Sequence, residues 1–202
     1  MITTLLAEIS TPDGGTMNLP NKLTVLRILL TPFFLAAMLV EFRYHYLVAA
    51  VIFIVASVTD FLDGKIARKN NLITTFGKLC DPVADKMLTT AALLAFMQLG
   101  LCNIWIVMIV LTREFLVTSF RLVASAQGIV IPAGIWGKLK TASQMIFSIV
   151  IMILLFAIEH LGLAFDKLPL VSNILLWITA VLTVVSGVKY IIDGKKVIDF
   201  SM

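Results

Sequence analysis

Six apolar runs, at roughly 23–40, 46–62, 83–101, 104–123, 142–158 and 170–188, each reach the length an α-helix needs to cross a bilayer. A membrane β-barrel would alternate every second residue instead of staying apolar over 17 or more. The breaks between runs are short, at 41–43, 100–103 and 159–169, with longer polar stretches at 64–82 and 124–141. Composition agrees: 60% of the 202 residues are hydrophobic and only 14% charged, too apolar for disorder and too poor in charge for an ordinary soluble domain. The expectation is an all-α polytopic membrane protein with six transmembrane helices.

Six spans place both termini on one side. With the N-terminus inside, 14 of the 16 Lys and Arg residues fall on the inner side, leaving only Arg43 and Lys167 outside. The reverse topology contradicts the positive-inside tendency, so both termini are expected in the cytoplasm. The same reasoning accounts for the net charge of +4 without nucleic acid, since there is no long basic run. Cys80 and Cys102 lie 22 positions apart, about 33 Å along one helix and beyond disulfide reach, and are read as structural.

Residues 1–16 differ from the rest. They carry Glu8 and Asp13 but no Lys or Arg, and Leu5-Leu6 is too short a hydrophobic region for a signal peptide. They are read as an extension of unassigned role, with Met17 itself a candidate start, ahead of one membrane domain over 17–202.

The second run ends in a dense polar segment, DFLDGKIARKNNLITTFGKLCDPVADK, from Asp60 to Lys86. At 100° per residue, Asp60, Asp63, Gly64, Ala67 and Arg68 share one helical sector. The small Gly64 and Ala67 leave space between two carboxylates and an arginine. Asp81 and Asp85, four apart, share a face of a later helix, where Pro82 is tolerable in a first turn. Four carboxylates beside a membrane repel one another unless divalent cations neutralise them. Oxygen-only ligands point to Mg²⁺ or Mn²⁺, metals that accompany phosphate chemistry. The plain alternative, a solvated loop, does not need Gly and Ala facing the acids.

The fourth run holds a second anomaly. Arg113-Glu114 comes only nine residues after its start, about 14 Å deep, and Glu114, Thr118 and Arg121 form one stripe. One reading is an internal ion pair that fixes helix packing. The other is a polar cavity whose cations bind an anionic substrate. Lys138 and Lys140 could join it, although they lie about 200° apart on a helix, so that both facing one pocket needs irregular backbone. Lys140 shares a face with Gln144.

Asp60 to Asp85 reads D-x2-D-G-x2-A-R-x8-G-x3-D-x3-D, which resembles the signature of the CDP-alcohol phosphatidyltransferases. Eight identities at fixed spacing arise by chance at on the order of 10⁻¹⁰ per starting position. The segments NLPNKLTVLR, TREFLVTSFR and GKLKTASQM are similar to the branch that makes phosphatidylglycerophosphate in bacteria. The resemblance implies a six-helix homodimer in the bacterial plasma membrane with its site open to the cytoplasm. It implies that Asp60, Asp63, Asp81 and Asp85 hold two divalent cations, Mg²⁺ or Mn²⁺, with Asp85 as general base. Gly64, Ala67 and Arg68, with Asn21 and Thr24, would hold the CDP part of CDP-diacylglycerol. Arg113, Arg121, Lys138 and Lys140 would bind the phosphate of glycerol 3-phosphate.

The acceptor could differ within the same reaction class. Serine carries no phosphate and would not require those four cations. Inositol phosphate would use them, and phosphatidylglycerol is an acceptor for other relatives. A transporter would also have buried charge, but here the acids cluster at one end instead of at the midplane.

Overall fold

Every apolar run becomes an α-helix in the computed structural model. It describes residues 19–70, 75–127, 134–162 and 165–195, with backbone alone at 19–20, 60–70, 75–82, 85, 126 and 195. In chain order the helices are α1 (Leu19–Leu39), α2 (His45–Asn70), α3 (Thr75–Gln98), α4 (Ile104–Ala126), α5 (Ile135–Leu161) and α6 (Leu168–Lys195). The described chain is all-α, as its apolar runs require.

The helix ends depart from the hydropathy pattern. α2 continues through the polar stretch to Asn70, α3 begins at Thr75 instead of near Val83, and α5 begins at Ile135 instead of Ala142. Hydropathy marks where a helix's surroundings change, and the i→i−4 ladder has no reason to stop there. Pro82, expected in a first turn, instead falls at the eighth position of α3, where it removes one amide donor from the ladder. Among the described residues, three helices are long and apolar enough to cross a membrane: Asn21–Leu39, Ile135–Leu161 and Leu168–Gly194. α4 falls outside that set because it carries Arg113, Glu114 and Arg121.

The connections are tight. After α3, Gly100 takes φ 73°, and the amides of Leu101 and Gly100 donate to the carbonyls of Phe96 and Met97 at 2.8 and 3.1 Å. This is a Schellman stop that glycine allows without strain. Asn103 then caps α4, its Oδ1 accepting from the Trp105 amide at 3.0 Å. Gly162, at φ 64°, closes α5 in the same left-handed way as Gly100.

α1 packs on α2 and α3, α5 on α6, and α6 on α4, while α2 against α5 joins the groups. Phe34, Phe53, Leu93, Phe96, Ile106 and Met152 are among the buried core side chains. Two polar contacts orient the bundle. His45, opening α2, sets Nδ1 3.1 Å from the Ala37 carbonyl and Nε2 3.3 Å from Glu159 at the end of α5. Ser172, near the start of α6, donates to the Leu101 carbonyl at 2.9 Å. One end of the bundle therefore gathers the starts of α2, α4 and α6. The other gathers the starts of α1, α3 and α5 and the ends of α2, α4 and α6, where the charged residues lie.

The interior is rich in small and hydroxyl residues, including Ala49, Ala92, Thr179 and Thr183, while Phe33, Trp105 and Leu122 are two-thirds exposed. Lipid favours this distribution, because an apolar solvent does not drive large apolar side chains inward and small residues let backbones approach closely. Gly194 shows the closeness: a Cβ there would collide with the Phe120 ring of α4.

Cys102, in the α3–α4 turn, is buried, and its Sγ donates to the Asn103 carbonyl at 3.6 Å. Burial pushes its thiol up to about 12, so the reactive thiolate is scarce at pH 8. In a Cys80→Ser background, a maleimide should leave Cys102 unmodified in native micelles and label it after denaturation. Rapid native labelling would mean that the turn opens.

Candidate active site

The charged end brings together residues from several helices, and its centre is the Glu114 carboxylate on α4. Glu114 Oε1 accepts from Arg113 Nη1 at 2.9 Å and from Lys140 Nζ, on α5, at 2.7 Å. All three are mostly withdrawn from solvent, with side-chain exposures of 14% for Arg113, 17% for Glu114 and 5% for Lys140. Burying three charges is tolerable only because each is paired. Arg113 is held from its other side as well: Nη2 donates to Ser186 Oγ, on α6, at 2.7 Å. Its Nε is buried with no hydrogen-bond partner among the described residues.

Gly187 makes room for this arginine, whereas a side chain at Gly137 would meet it only at ordinary contact distance. A Cβ at Gly187 would lie 3.0 Å from Arg113 Cγ, and one at Gly137 would lie 3.8 Å from Nη2. One turn beyond Glu114, Thr118 donates back to the Glu114 carbonyl at 2.7 Å and accepts from Lys86 of α3. That contact ties α3, next to Asp85 in sequence, to the charged stripe of α4. Arg121 is exposed, its Nε donating to Tyr190 OH at 3.2 Å and its guanidinium lying 5.4 Å from the centre of the Tyr190 ring.

The four cations expected to bind one phosphate therefore differ in setting. Arg113 and Lys140 share a carboxylate, and Arg121 sits two helical turns farther along α4. Lys138, two residues before Lys140 and so nearly half a turn away from its buried face, is exposed. α5 is regular from Ile135 onward, so the backbone irregularity needed to turn Lys138 and Lys140 inward together is absent there. Lys140 and Gln144 are both buried on the shared face that their spacing predicts.

On α1, Asn21 and Thr24 are buried, and so is Arg27 one turn further on. In the sequence Arg27 reads only as inner-side charge. Its signal was a spacing of three from Thr24 inside an apolar run, which puts it on the same face. Nothing in the spacing of Ser186, Tyr190 or Lys86 marks them as part of this end of the molecule. Asp60, Asp63, Gly64, Ala67 and Arg68 belong to the last part of α2, and Asp81 and Asp85 to the first half of α3. The side chains of these seven lie outside the described residues. Their donor chemistry is fixed by sequence all the same: four carboxylates and no sulfur or imidazole, a set that suits a hard divalent cation.

Comparison with known proteins bears on this end of the molecule. Residues 17–185 match the family described as CDP-alcohol phosphatidyltransferase. The chain is 40% identical over 185 residues to the CDP-diacylglycerol–glycerol-3-phosphate 3-phosphatidyltransferase of Bacillus subtilis, covering 86% of this chain and 93% of that one. It is 37% identical over 179 residues to the protein of the same name from Rickettsia felis, covering 89% and 96%. It is 38% identical over 177 residues to a protein of Mycobacterium tuberculosis named probable phosphatidylglycerophosphate synthase, covering 86% and 80%.

The shared carboxylate makes the first prediction about this site. Glu114→Gln leaves the Arg113 and Lys140 cations close together without the anion between them, and should lower stability by about 2–3 kcal/mol. Lys138→Met, at an exposed position, should stay within about 0.5 kcal/mol of wild type. Thermal unfolding in detergent micelles measures both, and equal effects would remove the carboxylate from its central place.

Proposed function

Because the chain belongs to the CDP-alcohol phosphatidyltransferase family, we propose that it transfers the phosphatidyl group of CDP-diacylglycerol to glycerol 3-phosphate, giving phosphatidylglycerophosphate and CMP. The relatives' names support this acceptor. The observation that supports it in the structure is the pairing of Arg113 and Lys140 on the one carboxylate of Glu114, with Arg121 two turns farther along α4 against Tyr190. Three cations against one carboxylate leave a formal charge of +2, which a phosphomonoester dianion balances. Serine offers nothing to balance it.

In this reading the acceptor phosphate binds to Arg113, Arg121 and Lys140, and its free hydroxyl points toward α2 and α3; Lys138, nearly half a turn away on the regular α5, is not turned to the same pocket. Asp85 takes the hydroxyl proton as the oxygen attacks the β-phosphorus of CDP-diacylglycerol in line. The bond from that phosphorus to the CMP oxygen breaks, and CMP leaves with the electron pair. Gly64, Ala67, Arg68, Asn21 and Thr24 hold the CDP portion. Asp60, Asp63, Asp81 and Asp85 would hold two Mg²⁺ or Mn²⁺ ions, whose chemistry is to neutralise the charge that builds on the diphosphate.

The site is read as cytoplasmic, in a six-span plasma-membrane protein with both termini inside. α2 has 26 residues, about 39 Å of helix against about 30 Å of hydrocarbon, so its polar last turns have length enough to stand clear of lipid. The basic residues concentrated at that end support the orientation. A homodimer belongs to the same reading and is checked by the mass of the purified protein in micelles.

The test is CMP release by the purified protein from CDP-diacylglycerol with each acceptor in turn. Glycerol 3-phosphate should support turnover, and activity with serine or inositol phosphate alone would overturn the acceptor. A chelator should abolish release, and Mg²⁺ or Mn²⁺ should restore it. Asp85→Asn should lose at least about 100-fold in kcat; full turnover by that variant would take Asp85 out of the base role.

A further inference from the structure

The two arginines of α4 are not held by their own helix alone. Ser186 and Tyr190 stand one turn apart on α6, both buried, and each engages one guanidinium. Ser186 Oγ accepts from Arg113 Nη2 at 2.7 Å, and Tyr190 OH accepts from Arg121 Nε at 3.2 Å. Tyr190 is itself braced by an edge-on contact with Phe120, ring centres 6.1 Å apart. Arg113 is thus fixed at both ends of its fork, by Glu114 on Nη1 and by Ser186 on Nη2, which leaves Nε–H as a buried donor without a protein acceptor among the described residues. A buried donor left open in an otherwise satisfied guanidinium calls for an explanation, and an incoming oxyanion supplies one.

From this geometry we infer that Ser186 and Tyr190 are positioning residues for the acceptor, setting the spacing and direction of the Arg113 and Arg121 guanidiniums before substrate arrives. The inference rests on the reading that these arginines bind the acceptor phosphate. Neither hydroxyl touches substrate. Their effect is through entropy and direction: a long, flexible side chain already fixed in the free protein does not have to be immobilised on binding. α6 therefore acts as a template whose one-turn spacing sets the distance between two phosphate-binding groups. That role explains why hydroxyls occupy 186 and 190 on a helix whose other face is apolar.

Ser186→Ala and Tyr190→Phe each remove one oxygen and leave volume, ring and helix in place. The affinity penalty of freeing one side chain should raise KM for glycerol 3-phosphate about 3- to 10-fold in each variant. The double variant should raise KM for glycerol 3-phosphate further than either single variant does. KM for CDP-diacylglycerol and the melting temperature in micelles should stay at their wild-type values. Unchanged KM for glycerol 3-phosphate in both variants overturns the inference. So does a loss in which both KM values, kcat and melting temperature move together, which would mark these hydroxyls as packing contacts only. If wild-type protein itself releases no CMP with glycerol 3-phosphate while another acceptor works, the acceptor reading has failed. The same pair of variants then overturns the inference directly if KM for that acceptor is unmoved.

Discussion

Two cations meet on one carboxylate oxygen in the interior of a helix bundle, and the arrangement of α4, α5 and α6 depends on it. Glu114 binds its sequence neighbour Arg113 and reaches Lys140 across to α5, while Arg113 reaches Ser186 on α6. In an apolar surround, each of these groups would be costly alone. Together they let the bundle keep cations buried between its helices. The glycine at 187 follows from the same constraint, since the arginine stem needs the space that a side chain there would fill.

The contacts at the opposite end are of a different kind. His45 and Glu159 tie α2 to α5 where the chain turns, and Schellman and asparagine caps close the α3–α4 corner. These features set helix order and direction with little charge. Separating the two tasks by location leaves the charged end free to carry a density of ionic groups that would weaken a corner if placed there. The small and hydroxyl residues between the ends serve close helix approach, so neither end needs the middle for its polar contacts.

Much of this was legible in the sequence, but unevenly. The six helices could be read because lipid imposes a length on apolar runs. Their ends could not, because α2 and α5 continue beyond the point where the surroundings turn polar, and hydropathy registers surroundings instead of backbone. Helical angle alone separated Lys138 from Lys140 and joined Lys140 to Gln144. The pairing of Glu114 was open to two readings, an ion pair that packs helices or a cation site for substrate, and the structure gives the first without removing the second. Ser186 and Tyr190 were not legible. A hydroxyl in an apolar helix has no spacing of its own that distinguishes a back-bond to the helix, as Thr183 makes to Thr179, from a contact with an arginine on another helix.

The coexistence of the two readings has a physical basis. A pocket of bare cations built to receive a phosphate dianion would be destabilised by mutual repulsion whenever it stood empty. A resident carboxylate removes most of that penalty, and hydroxyls from a third helix take up donors that the carboxylate cannot reach. The price is a lower positive potential for the incoming phosphate, partly offset because the guanidiniums no longer need ordering. Arg113 satisfies both demands: two of its nitrogens are committed to the fold, and the third remains a donor without a protein partner among the described residues. In the proposed reading, packing and binding are then successive uses of the same side chain, and the ion pair that holds the helices together also aims the binding group.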